Sequence, residues 1–141
     1  MKASDILIEA IKRFEGLKLC AYRDSAGVPT IGYGHTRNVK MGMRITRNQA
    51  EDYLREDLAV FENYVNRINV CKTQGQFDAL CDFSYNLGTG NLASSTLLKY
   101  IKAGKPTRDI QKQFKKWVYA GGKKLTGLVV RRQWEADRWA Q

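Results

Sequence analysis

The chain has 141 residues and a mass of 16.1 kDa, a size that suits one domain or two small lobes sharing a helix. Its 24 Lys and Arg against 14 Asp and Glu give a net charge of +10, and 43% of its residues are hydrophobic, enough for a packed core. No apolar run approaches the ~20 residues of a membrane-spanning helix. Asp5 and Glu9 interrupt the apolar positions near the N-terminus, so we expect no signal peptide.

The first predicted element is a helix over residues 4–15. Ser4 is a suitable N-cap, and Gly16 is placed to end the helix. The apolar stripe that marks its buried face consists of Ile6, Leu7, Ala10, Ile11 and Phe14. The next stretch, about residues 17–40, is rich in Gly and strand-forming residues and contains the turn signal Asp24-Ser-Ala-Gly27. It therefore predicts a β-hairpin.

The rest of the chain is predicted to be helical. Thr46-Arg-Asn-Gln49 has the spacing of a capping box, and the apolar repeat behind it predicts a helix to about Asn69. At ~1.5 Å per residue this helix is about 35 Å long. Thr73-Gln-Gly-Gln76 predicts a second capping box, whose helix ends at Gly88-Thr-Gly90. The remaining predicted helices, the last of them after a break at Gly121-Gly122, are 95–103, 106–118 and 126–140.

Two carboxylates and a hydroxyl are expected to meet in the hairpin region. Glu15 ends the first helix, Asp24 lies in the turn, and Thr30 begins the return strand. Glycoside hydrolysis needs one carboxylic acid that protonates the leaving oxygen and a second, ionised carboxylate that activates water. Apolar neighbours favour a protonated Glu15, and the polar turn favours an ionised Asp24. Most Glu and Asp pairs at such a spacing are simply solvated, so this pattern alone is weak evidence of catalysis.

Two glycines follow these residues on the return strand. Gly32 and Gly34 alternate with Ile31, Tyr33 and His35. A glycine within a strand pattern indicates close backbone approach or a backbone dihedral that other residues avoid. We therefore expect one or both of these features next to the two carboxylates.

Three segments of the sequence are distinctive. They are FEGLKLCAYRDSAGVPTIGYGHT (residues 14–36), FSYNLGTG (83–90) and AGGKKLTGLVVRRQWE (120–135). Together they resemble the phage-type lysozymes (endolysins, glycoside hydrolase family 24), whose signature contains a helix-end Glu, a hairpin Asp and a Thr within PTIGYGHT. The resemblance covers nearly the whole chain, with its landmarks in the family's order.

The resemblance implies an α+β, mostly helical, lysozyme-like fold in a single catalytic domain, residues 1–141. A small antiparallel hairpin lobe, about 16–45, would be joined to a larger helical lobe by the long helix at about 46–69. The helical lobe would comprise about 70–141 together with the N-terminal helix, 4–15. A groove between two such lobes suits an extended glycan.

The resemblance also implies a muramidase that hydrolyses the β-1,4 bond between N-acetylmuramic acid and N-acetylglucosamine in peptidoglycan, for host cell lysis. Glu15 would be the acid, and Asp24 with Thr30 would position and activate water, giving inversion. Tyr33 and His35 are candidate substrate-binding residues. Tyr33 suits the filling of the sheet face equally well, and a lone His such as His35 is more often a structural hydrogen-bonding residue.

The three cysteines give no indication of a cofactor. Cys20, Cys71 and Cys81 cannot all pair within one chain, and neither their spacing nor the single histidine suits a metal site. We expect reduced thiols that act as small buried hydrophobes. Neither a metal ion nor an organic cofactor is expected.

The positive charge indicates an anionic partner. The chain has no nucleic-acid motif, whereas peptidoglycan and its neighbours in the envelope are polyanionic and would attract a basic protein. We therefore expect a monomer that binds glycan strands, without nucleic acid and without stable membrane insertion. Because the sequence shows no signal peptide or transmembrane anchor, the resemblance implies residence in the host bacterial cytoplasm until release to the cell wall or periplasm.

Two alternatives remain open at this point. A lytic transglycosylase would break the same bond without consuming water, but Asp24 and Thr30 favour a reaction that uses water. The second alternative is a non-catalytic protein on a lysozyme fold, which binds the wall or nucleic acid or disrupts membranes through its charge. The presence of Glu15, Asp24 and Thr30 together argues against this loss of activity.

Overall fold

A computed structural model describes all residues, 1–141, and contains seven helices and two antiparallel two-stranded sheets. The helices are α1 (Asp5–Glu15), α2 (Arg47–Ile68), α3 (Gln74–Leu87), α4 (Thr89–Ser94), α5 (Thr96–Lys102), α6 (Thr107–Phe114) and α7 (Thr126–Trp139). The strands are β1 (Lys18–Arg23), β2 (Pro29–Gly32), β3 (Tyr119–Ala120) and β4 (Lys123–Lys124). The α+β, mostly helical class is as predicted. None of the helices combines the length and apolar character that a membrane crossing requires.

The chain forms two compact units, and the boundaries between them lie inside helices. Residues 8–60 form the hairpin unit, and residues 1–7 with 61–141 form the helical unit. The sequence predicts that the first helix belongs to the helical lobe and that the second helix connects the two lobes. In the structure, most of α1 and the first part of α2 belong to the hairpin unit.

Helix α1 begins and ends where its sequence predicts. Ser4 is the N-cap, because its Oγ accepts a hydrogen bond from the Leu7 amide at 3.2 Å. Gly16 has φ +71°, and its amide donates to the Lys12 carbonyl at 3.0 Å. The predicted stripe is wrong at Ile6, which is 56% exposed, whereas Ile8 is buried. Residues 6 and 8 flank the buried face of Leu7, Ala10 and Ile11 at similar angles, so the packing of neighbouring segments, rather than helical phase, decides which of the two is buried.

The hairpin of β1 and β2 supports the loop that contains Asp24. Tyr22 pairs with Thr30 and Arg23 with Pro29, and the register is irregular between Lys18 and Tyr22. The turn is closed by backbone hydrogen bonds from the Asp24 amide to the Val28 carbonyl at 3.0 Å and from the Gly27 amide to the Asp24 carbonyl at 2.9 Å. Helix α2 follows, and its capping box is confirmed by reciprocal bonds between Thr46 and Gln49 at 2.8 and 3.1 Å.

The helical unit has a predicted beginning and an unpredicted second hairpin. Thr73 caps α3 through the Gln76 amide at 3.1 Å, but the Gln76 side chain accepts from the Lys72 amide, so the reciprocal half of this capping box is absent. Residues 106–118 were expected to be one helix, yet α6 ends at Phe114. Strands β3 and β4 follow around Gly121 and Gly122, whose φ values of +57° and +77° suit a tight two-residue turn.

The three thiols are in different environments, and none forms a disulfide. Cys81 is fully buried, as expected, and burial raises its pKa. Cys71 is half-buried, and burial raises its pKa to about 12. Cys20 is exposed on β1, so the expectation that it is a buried hydrophobe is wrong. A two-stranded hairpin has too few neighbouring side chains to cover both of its faces.

Four ionisable side chains are buried together between α3 and α7. Arg131 donates to Asp82 through Nε and Nη2 at 3.0 and 2.8 Å, and Arg132 Nη2 donates to Glu135 Oε2 at 2.8 Å. Burial raises the pKa of Asp82, but the charge and hydrogen bonds of Arg131, together with Glu135 and Arg132, outweigh burial and hold that pKa below the ordinary value. Burial raises the pKa of Glu135, and the neighbouring Asp82 carboxylate raises it further. The buried cluster therefore keeps Asp82 ionised and favours a proton on Glu135.

This proton predicts a specific pH dependence of stability. Folded Glu135 keeps its proton at pH values where the unfolded chain has released it. Its contribution to the free energy of unfolding is therefore complete below the ordinary pKa of 4.5 and is lost as pH rises through the raised pKa. We expect urea unfolding between about pH 4 and 8 to show this decline in the natural protein. The Glu135→Gln variant should have a flatter profile, and equal slopes in both proteins would contradict the assignment.

Candidate active site

Glu15 is the last residue of α1 and lies at the edge of the hairpin unit's core. It is half-buried, and Gly16 ends the helix directly after it. Its carboxylate is thus attached to a rigid helix rather than to a loop. This is the placement that the sequence predicted for the acid.

The backbone of the turn that follows β2 lies against this carboxylate. A Cβ atom on Gly34 would lie 2.9 Å from Glu15 Oε1, closer than real Cβ contacts allow, and Gly34 has φ +85°. Gly32 has φ +67° and lies against Ala50 of α2. The predicted unusual dihedrals are confirmed at both glycines, and the predicted close approach is confirmed at Gly34.

Asp24 is exposed, but its carboxylate is held in one orientation by the turn. Oδ1 accepts hydrogen bonds from the amides of Ala26 and Val28, each at 2.9 Å. Oδ2 has no hydrogen-bond partner within the protein and is open to solvent. A carboxylate in this arrangement is fixed in direction yet free to accept a proton from a water molecule.

Thr30 is tied to the same backbone segment as Asp24. Its hydroxyl donates to the Val28 carbonyl at 2.9 Å, and the residue is only 4% exposed. Val28 therefore bonds Asp24 through its amide and Thr30 through its carbonyl. Because the Thr30 proton is engaged, the remaining lone pairs of this oxygen are the part that can accept from a water molecule.

Tyr33 and His35 occupy well-packed positions. Tyr33 is 5% exposed, and the Lys12 ammonium lies 5.8 Å from its ring centroid. The Glu51 carboxylate hydrogen-bonds this ammonium and raises the pKa of Lys12. Such a buried Tyr33 offers little ring surface for stacking on a sugar.

The His35 ring is held by two residues of α2. Its Nδ1 lies 2.7 Å from Asp57 Oδ2, and the ring stacks on Tyr53 with centroids 4.2 Å apart. His35 also lines an open cavity of about 410 Å³ with Arg37, Asn38, Tyr53 and Glu56. The sequence by itself gives no sign of Asp57 or Tyr53 as partners of His35, because only the packing of the hairpin on α2 brings them to the ring.

The hairpin unit thus places two carboxyl groups in contrasting surroundings. Glu15 is half-buried against a glycine backbone, and Asp24 is exposed with one oxygen free. Two carboxyl groups in unlike surroundings, with a neutral hydroxyl tied to the same turn as one of them, form a group set that glycoside hydrolases use. The fold and this site define a lysozyme-type glycoside hydrolase.

Comparison with known proteins gives the family. The family model described as phage lysozyme matches residues 12–135. An endolysin of Acyrthosiphon pisum secondary endosymbiont phage 1 is 44% identical over 140 residues, which cover 96% of this chain and 95% of that protein. The chain belongs to the phage lysozyme family.

Solved structures agree with this assignment. The endolysin from Escherichia coli O157:H7 phage FAHEc1 is 42% identical, with a TM-score of 0.85 over 99% of this chain and 93% of that one. The muramidase domain of SpmX from Asticaccaulis excentricus is 32% identical, with a TM-score of 0.91 over 99% of this chain and 98% of that one. The expected lysozyme-like fold is confirmed.

The contact between Gly34 and Glu15 predicts a large effect of one methyl group. In Gly34→Ala the new Cβ must displace the Glu15 carboxylate, and a shift of ~1 Å in a reacting group can lower a rate about 100-fold. We expect clearing of purified bacterial cell walls, followed by turbidity, to slow by roughly this factor.

Gly42→Ala is the matched control for this prediction. Gly42 also has a positive φ, +95°, but a Cβ there would meet nothing within 4 Å. Both variants carry backbone strain, so both should melt at lower temperature. Equal losses of activity in the two variants would show that strain, rather than the contact with Glu15, is responsible.

The Asp57 contact predicts a structural role for the His35 ring. Asp57→Asn weakens the bond to a nearly buried ring nitrogen, so the free energy of unfolding should fall by about 1–3 kcal/mol. Asp52→Asn, at an exposed position of the same helix without an ion pair, should change it little. A loss of wall affinity without a loss of stability in Asp57→Asn would instead favour substrate contact at His35.

Proposed function

We propose that this protein is an endolysin that hydrolyses the β-1,4 bond between N-acetylmuramic acid and N-acetylglucosamine in bacterial peptidoglycan, with inversion at the anomeric carbon. Membership of the phage lysozyme family supports the activity, as do the endolysin and muramidase names of its relatives. The observation that supports it most directly is the pair of carboxyl groups in unlike surroundings within one compact unit.

Glu15 is proposed to protonate the glycosidic oxygen. Bond cleavage leaves negative charge on that oxygen, and a neutral carboxylic acid at the end of a rigid helix supplies the proton as the bond breaks. The Gly34 backbone against Oε1 limits the orientations that the carboxyl group can adopt. Once Glu15 has given up its proton, the new 4-hydroxyl group leaves with one product fragment.

Asp24 and Thr30 are proposed to act on the water. Asp24 Oδ2 accepts a proton from the attacking water, while Oδ1 stays bonded to the two turn amides. The Thr30 oxygen accepts the other hydrogen of this water and so orients it. The water oxygen forms the new bond to the anomeric carbon on the face opposite the leaving group, which inverts that centre.

The wider biological setting is also part of this proposal. The protein would act as a monomer on glycan strands, with neither a metal ion nor an organic cofactor. It would accumulate in the host bacterial cytoplasm and reach the wall or periplasm only after release. Tyr33 and His35 remain candidate substrate-binding residues, although their burial favours structural roles.

Replacement of the acid is the principal test. Glu15→Gln preserves the shape of the side chain but removes the transferable proton, so wall clearing should fall by about 10³-fold or more. Binding of the variant to walls, measured by co-sedimentation, should persist. Retained clearing would assign the activity to another residue, and a loss of binding would indicate misfolding.

The products distinguish hydrolysis with inversion from the alternatives. NMR of the fresh digest should show the α configuration at the new reducing end, and mass spectrometry should show the addition of one water. A β product would exclude inversion but not hydrolysis. An anhydro sugar end, lighter by one water, would identify a lytic transglycosylase.

The water-handling residues should differ in importance. Asp24→Asn removes the proton acceptor and should lower the clearing rate by about 10²–10⁴-fold. Thr30→Ala removes only an orienting group, so its effect should be smaller. If Thr30→Ala lowers the clearing rate as much as Asp24→Asn does, Thr30 does more than orient the water, and its assigned role is wrong.

A further inference from the structure

The positive charge of this protein is concentrated in one segment. Residues 99–124 contain nine of the 24 Lys and Arg but only one of the 14 Asp and Glu. This stretch therefore has a net charge of +8, whereas the other 115 residues have +2. It extends from α5 through α6 to the β3–β4 hairpin, entirely within the helical unit.

The cations of this segment are mostly lysines that form no ion pair. Eight of the nine are Lys, all nine are exposed, and the one ion pair joins Arg108 to Asp109 at 4.0 Å. The arginines Arg131, Arg132 and Arg138, by contrast, pair with acidic side chains of the helical unit. Uncompensated like charges repel one another and oppose folding. An external anion would relieve this repulsion.

Three of these lysines surround a cavity of about 290 Å³. They are Lys105, Lys112 and Lys116, and we call them the lysine face. Gln113 also lines the cavity, is only 6% exposed, and makes no side-chain hydrogen bond within the protein. A nearly buried amide that opens into a cavity between ammonium groups is an unused donor for an anionic oxygen.

We propose that the lysine face binds the phosphate groups of phosphodiester polymers attached to the bacterial cell wall. One phosphate occupies the cavity, where the three ammonium groups and the Gln113 amide donate to its oxygens. The remaining cations of residues 99–124 attract neighbouring phosphates of the same polymer. The interaction makes and breaks no covalent bond. It rests on the proposed function, because that function brings the protein to the wall.

The geometry of the anion favours phosphate over carboxylate. Arg and Lys both bind either anion, and the Lys ammonium does so as a compact point charge with rotatable donors. The cavity is lined by three lysines, by Gln113 and by one carboxylate, Asp109, which pairs with Arg108 at 4.0 Å. The oxygens of a phosphate point in tetrahedral directions, whereas those of a carboxylate lie in one plane. Donors placed around a cavity therefore fit the carboxylates of peptide cross-links less well than phosphodiester groups.

The surroundings of the cavity disfavour nucleic acid and membrane. Proteins that bind single-stranded nucleic acid usually stack bases on open aromatic rings, but the Tyr100 ring has the Lys105 ammonium 5.8 Å from its centroid. Insertion into a lipid surface needs exposed apolar side chains beside the charges. The cavity is concave, and its lining residues include no aliphatic side chain.

The test measures binding in a protein that cannot degrade its target. Glu15→Gln protein is mixed with two preparations of the same walls, one untreated and one stripped of phosphodiester polymers with hydrofluoric acid. At ~0.15 M salt we expect binding to untreated walls to be at least about tenfold weaker when Lys105, Lys112 and Lys116 are all changed to Gln. On stripped walls the two proteins should bind equally.

A matched triple variant controls for net charge. Lys2, Lys40 and Lys72 are exposed, lie outside residues 99–124 and have no ion pair. Changing these three to Gln removes the same charge and should leave most of the binding intact. Gln113→Leu should weaken binding without any change of charge. Equal losses in both triple variants would overturn a specific site.

Soluble probes identify the chemistry. Inorganic polyphosphate should compete with untreated walls for the protein, and poly-glutamate of equal charge should compete less well. Duplex DNA or phosphatidylglycerol vesicles that bind more tightly than polyphosphate, in a manner dependent on the lysine face, would overturn the proposal in favour of nucleic acid or membrane. Binding that does not change when the walls are stripped would also overturn it.

The binding test of the lysine face and the test of the proposed hydrolysis can fail independently of each other. With Glu15 intact, the lysine-face triple variant should clear stripped walls at the rate of the natural protein. Failure of all proteins to release sugar ends would refute the proposed hydrolysis, while the binding comparison with Glu15→Gln protein would still report on the lysine face. Thermal melting of each variant shows whether it is folded.

Discussion

The contact between the Glu15 carboxylate and the Gly34 backbone is the constraint on which the site depends. No side chain can occupy position 34 while Oε1 lies 2.9 Å from where a Cβ would be. A side chain at position 34 would therefore displace the Glu15 carboxylate. Gly16 ends the helix directly after the same residue, so two glycines with positive φ border the proposed acid.

The proposed base, Asp24, is held in place by hydrogen bonds to backbone groups of the turn, above all those of Val28. Its amide orients Asp24 and its carbonyl orients Thr30, so one residue aligns both groups that would hold a water. The acid is thus fixed by packing on a helix and the base by hydrogen bonds within a turn. This separation lets one carboxyl group be shielded while the other stays in contact with solvent, as acid–base catalysis by two carboxyl groups requires.

The charged residues of the helical unit divide in a similar way. Its arginines form buried or half-buried pairs, such as Arg131 with Asp82 and Arg138 with Asp78, because one guanidinium can donate two hydrogen bonds to one carboxylate. The lysines of residues 99–124 remain exposed and unpaired. Buried pairs hold α3 against α7, whereas the exposed lysines contribute to the fold little but repulsion and are available to an anion.

The sequence by itself determined the features that depend on near neighbours. These include the Thr46 capping box, the helix end at Gly16, the turn at Asp24 and the positive φ of Gly32 and Gly34. Only the tertiary structure decided which face of α1 is buried, which excludes Ile6, and where the chain divides into units. It also decided the pairing of His35 with Asp57 and of Arg131 with Asp82, which are 22 and 49 residues apart. Local signals express hydrogen bonds and dihedrals within a few residues, whereas these pairings arise from packing between segments whose sequence spacing has no fixed period.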